Sequence, residues 1–400
     1  MFPKKTFFPL AGILAATLLL SACSSGDGGG DSGTPGSPGG SSQTATPASV
    51  TIEPANASGI SPTTPIVVKA ANGKLTDVTV TSSKGKTVAG EFSPDKLSWK
   101  TTEVLGYAGT YQVKAHAQGA DGKTVEQQGQ VTTLAPKKQA NANLIPAPGA
   151  VKSTGVGVGQ PIVFSFGTPV KNKAAVEKAL TVESSPKQDG SWYWMDDKNV
   201  HYRPKEYWQP GTTITVTAKI YGVDFGDGVY GAEDRTETYK VHDSWIAKAD
   251  GSSEQMQIFH NGSMVKSMPI SMGKDATPTH LGPHVISDKQ ANYTMDSCTY
   301  GVCPPDPKAY RSNEKFSERI SNDGEFVHEN PNSVGQQGNS NVSHGCINLN
   351  AANAEWFFNN FGLGDVVEVT NSGGPQLPVW DLYGDWSKSW ADWQKGSALQ

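Results

Sequence analysis

Short apolar runs with a period of two, each closed by a turn pair, recur from residue 50 to about residue 240, and this alternation confines the chain to β-sheet. Pro65-Ile66-Val67-Val68-Lys69-Ala70, Val78-Thr79-Val80-Thr81 and Tyr111-Gln112-Val113-Lys114-Ala115 are punctuated by Asn72-Gly73, Lys84-Gly85 and Asp121-Gly122. Strands at this spacing, with no helical pattern between them, predict an immunoglobulin-like β-sandwich over residues 50–136. The style repeats in residues 141–249, with Pro161-Ile162-Val163-Phe164-Ser165-Phe166, Val200 to Pro204 and Thr213 to Ala218 as strands and one short helix from Lys173 to Leu180. Trp192, Trp194 and Trp208 suit either a carbohydrate-stacking surface or the buried aromatics of a sandwich, and the second reading is preferred.

The 44 Gly and 26 Pro of the 400 residues fit this turn-rich organisation, and the length calls for two or three domains. With 33 basic against 38 acidic residues the net charge is -5, so no cationic field gathers nucleic acid, which is excluded as a partner.

The first 22 residues read as an export signal: Lys4 and Lys5, an apolar run from Phe7 to Leu20, then Ser21 and Ala22 before Cys23. Leu20-Ser21-Ala22-Cys23 resembles a bacterial lipobox, which implies lipidation of Cys23 and a chain held on the outer face of the cytoplasmic membrane. Residues 23–49 are Gly, Ser, Thr, Pro and Ala with almost nothing apolar, so they cannot repay the entropy of folding and are expected to act as a tether. A Gly/Ser chain of that length has a root-mean-square reach of roughly 25–30 Å, enough to lift the rest off the membrane face toward something lying above it.

The pattern changes at Trp245. Met256 to Phe259 and Met264 to Ser267 flank an Asn261-Gly262 hairpin turn, Asn350 is placed to cap a helix over Ala351 to Phe361, and Asp365 to Val369 resumes strand. A mostly β catalytic module with one main helix is therefore expected over residues 250–371, followed by a Trp-rich tail, residues 372–400. There Trp386, Trp390 and Trp393 have helical spacing, and an aromatic strut packed onto a neighbouring domain is preferred over a membrane contact because the segment has no basic face.

Outside the anchor the chain has three cysteines, Cys298, Cys303 and Cys346, and an odd number outside the cell leaves one thiol unpaired. Cys298 and Cys303 bracket a short loop and are the natural pair, which makes Cys346 the free thiol. It lies in Asn341-Val342-Ser343-His344-Gly345-Cys346-Ile347-Asn348, where Gly345 permits close approach of a substrate carbonyl and the adjoining N–H groups can face an oxyanion. His344 is too near in sequence to be the base. His328, in Phe326-Val327-His328-Glu329-Asn330-Pro331, follows an apolar strand end and can return beside the thiol, and an imidazole that accepts the thiol proton makes the competent nucleophile. Cys–His acyl transfer is the reaction class that follows, while His242, His260 and His284 are read as surface or core imidazoles.

Ser343-His344-Gly345-Cys346 with upstream Val327-His328 resembles the YkuD-type L,D-transpeptidase family, and Met272-Gly273-Lys274, Thr277-Pro278-Thr279, Met295-Asp296-Ser297, Thr299-Tyr300-Gly301-Val302, Tyr310-Arg311 and Ser333-Val334-Gly335 extend the agreement. With two preceding sandwiches and the Trp-rich tail, the chain is similar to the actinobacterial lipoprotein-like members. The resemblance implies that Cys346 attacks the diaminopimelate–D-Ala bond of a tetrapeptide stem in peptidoglycan, that His328 moves the proton, and that Gly345, Cys346 and His344, with Ser343 beside them, hold the oxyanion. It further implies that the main-chain carbonyl of Glu329 orients the base, that Tyr300, Tyr310, Met295, Asn348 and Ser333 meet the substrate, and that the Cys298–Cys303 loop serves as a lid. No metal or organic cofactor is called for, β-lactams of the carbapenem class are implied as covalent inhibitors, and a monomer is expected. Transfer to a second stem, giving a 3→3 cross-link, leads over two rivals: hydrolysis of the same thioester, and a non-enzymatic wall-binding lipoprotein.

Overall fold

A computed structural model describes residues 46–307 and 309–400. The export signal, Cys23 and nearly all of the tether therefore lie outside the described residues.

Alternation becomes sandwich where the sequence expects it. In the first module a four-stranded sheet, ordered Ser49–Glu53, Val67–Ala71, Ser98–Thr101 and Gly90–Phe92, faces a three-stranded one of Gly73–Ser82, Thr110–Gly119 and Thr124–Thr132. Thr110–Gly119 shows why: Tyr111, Val113, Ala115 and Ala117 all turn inward beside Val68, Trp99 and Val131, while the residues between them are more exposed. The second module pairs Gly190–Trp194, Asn199–Pro204, Ile162–Ser165 and Asn143–Ile145 on one side with Leu180–Ser185, Thr213–Ala218 and Arg235–Lys240 on the other. The short helix spans Lys173–Lys178. Trp192, Trp194 and Trp208 are buried in this core, which removes them as a carbohydrate surface.

The third module carries a five-stranded sheet, ordered Ser263–Pro269, Gln255–His260, Trp245–Asp250, Val366–Thr370 and Gly282–Val285, and a four-stranded one of Asp288–Asp296, Arg311–Arg319, Phe326–Glu329 and Ile347–Leu349. The expected boundary at residue 250 is corrected by this order. Trp245–Asp250 is the central strand of the five, pairing antiparallel with Gln255–His260 and parallel with Val366–Thr370, so the module begins near residue 244. Asn261 and Gly262 have φ of 47° and 82°, the left-handed pair that a two-residue hairpin needs. The helix Ala351–Asn360 is capped by the Asn350 side chain, which accepts from the Asn353 N–H, and it buries Ala354 and Phe357 among Ile258, Ile347, Leu349 and Val367.

The tail is not one helix. Trp386 lies in a short 3-10 turn, Gly384–Ser387, and a five-residue helix, Trp390–Gln394, follows only after an extended Lys388. Helical spacing of the tryptophans instead reflects a common target: the rings of Trp386, Trp390 and Trp393 surround the Arg203 guanidinium at 4.6, 5.5 and 4.7 Å. Arg203 donates to the carbonyls of Asp385 and Lys388, Trp386 Nε1 to Gly159 O and Trp393 Nε1 to Ser191 O. The tail thus straps the second sandwich, as an aromatic strut should.

Candidate active site

Two adjacent parallel strands assemble the reacting pair. Phe326–Glu329 and Ile347–Leu349 run in register with His328 opposite Asn348. Side chains two apart share a face, so Cys346, directly before the second strand, projects on the same side as Asn348 and His328. Cys346 is buried and unpaired; Cys298 and Cys303 are bonded to each other with Cα atoms 4.5 Å apart.

His328 is almost wholly buried. Its Nδ1–H donates to Glu329 O at 2.7 Å, the main-chain contact that the family resemblance implies, which leaves Nε2 as the ring's other nitrogen; Cys346 is close enough to act on the charge of the ring. Glu314 Oε2 stands 3.5 Å from Nδ1. Burial pushes the imidazole toward its neutral form, but the hydrogen bonds and charges of Cys346 and Glu314 outweigh it and hold His328 up at about 10. The same contact holds the Glu314 carboxyl below its ordinary value, against partial burial. Sequence reasoning missed Glu314. Strict alternation along Arg311–Arg319 would be the signal, but Phe316 sits at φ 52° and interrupts it, so Ser317 and Glu318 are both buried in succession.

The Ser343–Cys346 turn is held on every side. Ser343 Oγ donates to Cys346 O at 2.6 Å, Thr279 Oγ1 donates to Gly345 O at 2.7 Å, and Gly345 has φ 125°, a backbone conformation that side-chain-bearing residues rarely adopt. One expectation needs correction: the Gly345 N–H donates to Ser343 Oγ at 3.1 Å and is thereby committed within the turn instead of facing an oxyanion. His344 stacks on Tyr310 with ring centres 5.8 Å apart and lies 3.2 Å from Lys274 Nζ. Partial burial, then the Lys274 charge, lower its pKa, so it stands as a neutral imidazole.

Beside the thiol opens a cavity of about 220 Å³ whose lining includes Thr277, His280, Ser297, Tyr310, Gly324 and His344. Met295, Phe326 and Cys346 form one apolar cluster with Tyr293 and Tyr310 against it; Tyr310 lines the cavity, and Met295, 3% exposed, packs in the cluster beside the thiol. The Tyr300 side chain lies outside the described residues. Asn348 and Ser333, expected to meet the substrate, are as buried as the reacting pair, 2% and 4% exposed, and Asn348 Nδ2 donates to Ser333 Oγ at 3.1 Å.

On the wall of the cavity lies a second group that sequence reasoning did not find. Glu325 is buried between His280 Nδ1 at 3.0 Å and His284 Nε2 at 3.2 Å, and it also accepts from the His280 N–H at 2.8 Å. Burial opposes ionisation, but the two imidazoles bring the carboxyl down to about 2, and the same hydrogen bond raises His280. His284 is the core imidazole expected from sequence, 0% exposed.

A free buried thiol on a parallel strand pair, with an oriented imidazole against it and an open cavity in front, defines a cysteine acyltransferase module behind tandem sandwiches. The L,D-transpeptidase catalytic domain family (YkuD) matches residues 244–369, and a bacterial Ig domain family matches residues 57–224. L,D-transpeptidase 2 of Mycobacterium tuberculosis (strain CDC 1551 / Oshkosh) is 39% identical over 340 residues, 85% of this chain and 82% of that one. L,D-transpeptidase 5 of Mycobacterium tuberculosis (strain ATCC 25618 / H37Rv) is 39% identical over 363 residues, 88% of this chain and 77% of that one. Among solved structures, that of the LD transpeptidase LdtMt1 in complex with imipenem superposes with a TM-score of 0.51 at 32% identity, covering 59% of this chain and 100% of that one. The chain belongs to the L,D-transpeptidase family, and it is an enzyme of that kind; a non-enzymatic wall-binding role is thereby set aside.

Proposed function

We propose that the protein forms 3→3 cross-links in peptidoglycan through a thioester on Cys346. The observation that supports this most directly is the pairing of the free Cys346 thiol with a His328 ring whose other nitrogen is fixed by Glu329 O. His328 already holds, as imidazolium, the proton that the thiol has given up, and the thiolate attacks the carbonyl joining the L-centre of diaminopimelate, at stem position three, to terminal D-Ala. The C–N bond breaks, the proton on His328 goes to the departing D-Ala amine, and the tripeptide acyl group remains on sulfur. The side-chain amine of a second stem then attacks the thioester, gives a proton to His328 and releases the thiolate.

With the Gly345 N–H committed inside its turn, the oxyanion falls to the Cys346 N–H and the neutral His344 ring. Tyr310, Met295 and Tyr300 border the donor peptide, and the Cys298–Cys303 loop covers it. Imipenem occupies the similar LdtMt1 structure, and the same acylation by carbapenems is proposed for Cys346. The lipobox-like Leu20 to Cys23 supports a lipid anchor on the outer face of the cytoplasmic membrane with the tether reaching into the wall, and the working unit is proposed to be a monomer.

Intact mass after incubation with a tetrapeptide stem tests the chemistry: a gain equal to the tripeptide acyl group is expected, and none in Cys346→Ser. Adding acceptor stem should yield dimers. Free tripeptide as the sole product would instead establish a hydrolase.

A further inference from the structure

The turn that joins Arg311–Arg319 to Phe326–Glu329 places one of its own carbonyls against the nucleophile: the Cys346 thiol lies 3.6 Å from Gly324 O. Asp323, Gly324 and Glu325 of the same turn line the cavity. From within, the turn is held by Ser321 Oγ, which bonds to the Asp323 carboxylate and accepts the Glu325 N–H, and by Ile320 N–H donating to Glu325 O at 2.9 Å. From outside, His280 meets the Asp323 and Glu325 carboxylates at 3.7 and 3.0 Å, and the tail ties the backbone between Ser321 and Asp323: the Asn322 N–H donates to Asp381 Oδ2 at 2.7 Å.

Asp381 is 3% exposed and anchored on both sides. Upstream, the tail pairs with Leu281, whose N–H donates to Pro375 O at 2.7 Å and whose carbonyl receives the Leu377 N–H at 2.9 Å. Downstream, Asp385 Oδ1 meets His201 Nδ1 at 2.9 Å, and Tyr383 packs with Val163 and Val285. The carboxylate is therefore carried on a segment wedged between the second sandwich and the catalytic sheet.

We propose that Asp381 is a positioning residue for the acyl-transfer site: it fixes the Asn322–Gly324 turn, and through it the Gly324 carbonyl at the thiol and the acidic wall of the cavity. This deepens the proposed function and rests on Cys346 as the nucleophile. The groups facing Asp381 are Asp323 and Glu325 from the turn and His280 and His284 from the segment beside the tail. Burial raises the carboxyl to about 6; the Asn322 N–H and His284 pull it down, while Asp323 and Glu325 push it up. Above about pH 6 the turn is thus tied by a charge-assisted hydrogen bond, which weakens as Asp381 takes a proton.

The test follows the second-order rate of acylation by imipenem, by intact mass and absorbance, across pH 5–8 in the full chain. Asp381→Ala is expected to lower that rate roughly tenfold to a hundredfold at pH 7.5, the scale on which a misplaced reacting group costs rate. Asp381→Asn keeps an acceptor oxygen for the Asn322 N–H, so it should recover most of the loss while removing the rate change centred near pH 6 that is expected of the native chain. Near-UV circular dichroism on both variants establishes that they fold, and Asp381→Asn carries the test if Asp381→Ala does not. A native rate in Asp381→Ala, or a pH profile of Asp381→Asn that superimposes on the native one, would overturn the proposal. Cys346→Ser separates this from the reading beneath it: an adduct that persists there would sink the assignment of the nucleophile itself.

Discussion

Replacing Glu314 by Gln removes a negative charge 3.5 Å from His328 while leaving the shape of the site. Carrying an imidazole from its ordinary 6.5 to about 10 corresponds to roughly 5 kcal/mol of preference for the charged ring, and that preference is the surplus left after burial has worked against it. Cys346 and Glu314 share the surplus, with Cys346 the larger partner. An opposite charge at this range moves a pKa by about 1–3 units, and Glu314 is partly solvated, so the lower half of that range applies. Glu314→Gln should therefore bring the His328 titration down by roughly 1–2 units, to between about 8 and 9. Because the folded ring keeps its proton up to about pH 10 and the unfolded chain gives it up near 6.5, the stability that His328 lends is complete below pH 6.5 and lost as the pH climbs toward 10. In Glu314→Gln that loss should finish at lower pH. Titration of the ¹³Cε1 resonance of His328, alongside urea unfolding between pH 6 and 10, reads both effects. A resonance that titrates at the same pH in both proteins would refute the claim that Glu314 helps to hold the imidazolium.

Gly345→Ala forces a Cβ onto a residue at φ 125°, costing on the order of 1–3 kcal/mol and displacing Cys346; thermal unfolding and the acylation rate should fall together. Trp393→Ala empties a fully buried site under Arg203 and strands the Ser191 carbonyl, so chemical denaturation should show a loss of about 3–5 kcal/mol. Glu325 is held at about 2 by His280 and His284, so its contribution is present above pH 4.5 and lost as the pH falls toward 2; Glu325→Gln should flatten that limb of the acid-unfolding curve. Serine at both Cys298 and Cys303 should lower stability by no more than about 2 kcal/mol, since the closed ring is small, while changing the rate of carbapenem acylation if the loop covers the site.

How much of this was legible in advance depended on the range of the interaction. The Tyr111–Ala117 alternation, the Asn261-Gly262 turn and the Asn350 cap are written within a few residues of themselves, and each lies where the pattern puts it. The reacting pair could be nominated for a chemical reason: with export expected, an unpaired thiol next to a glycine and downstream of a strand-end histidine suggests a nucleophile and its base, and the resemblance to the L,D-transpeptidase family added the rest. Trp245–Asp250 went to the wrong module because a strand looks the same from within whichever sheet it joins; its partner Val366–Thr370 lies more than a hundred residues away.

Strand, turn and cap chemistry is local, and so the sequence by itself determined the β architecture, while it nominated Cys298 with Cys303 as a pair and Cys346 with His328 as the reacting groups. Only the tertiary structure decided which groups set the charge on that imidazole and which hold the turn at the thiol. Glu314, Glu325 and Asp381 are each an ordinary acid in sequence, and they matter because folding removes water from around them and leaves a few distant partners to replace it.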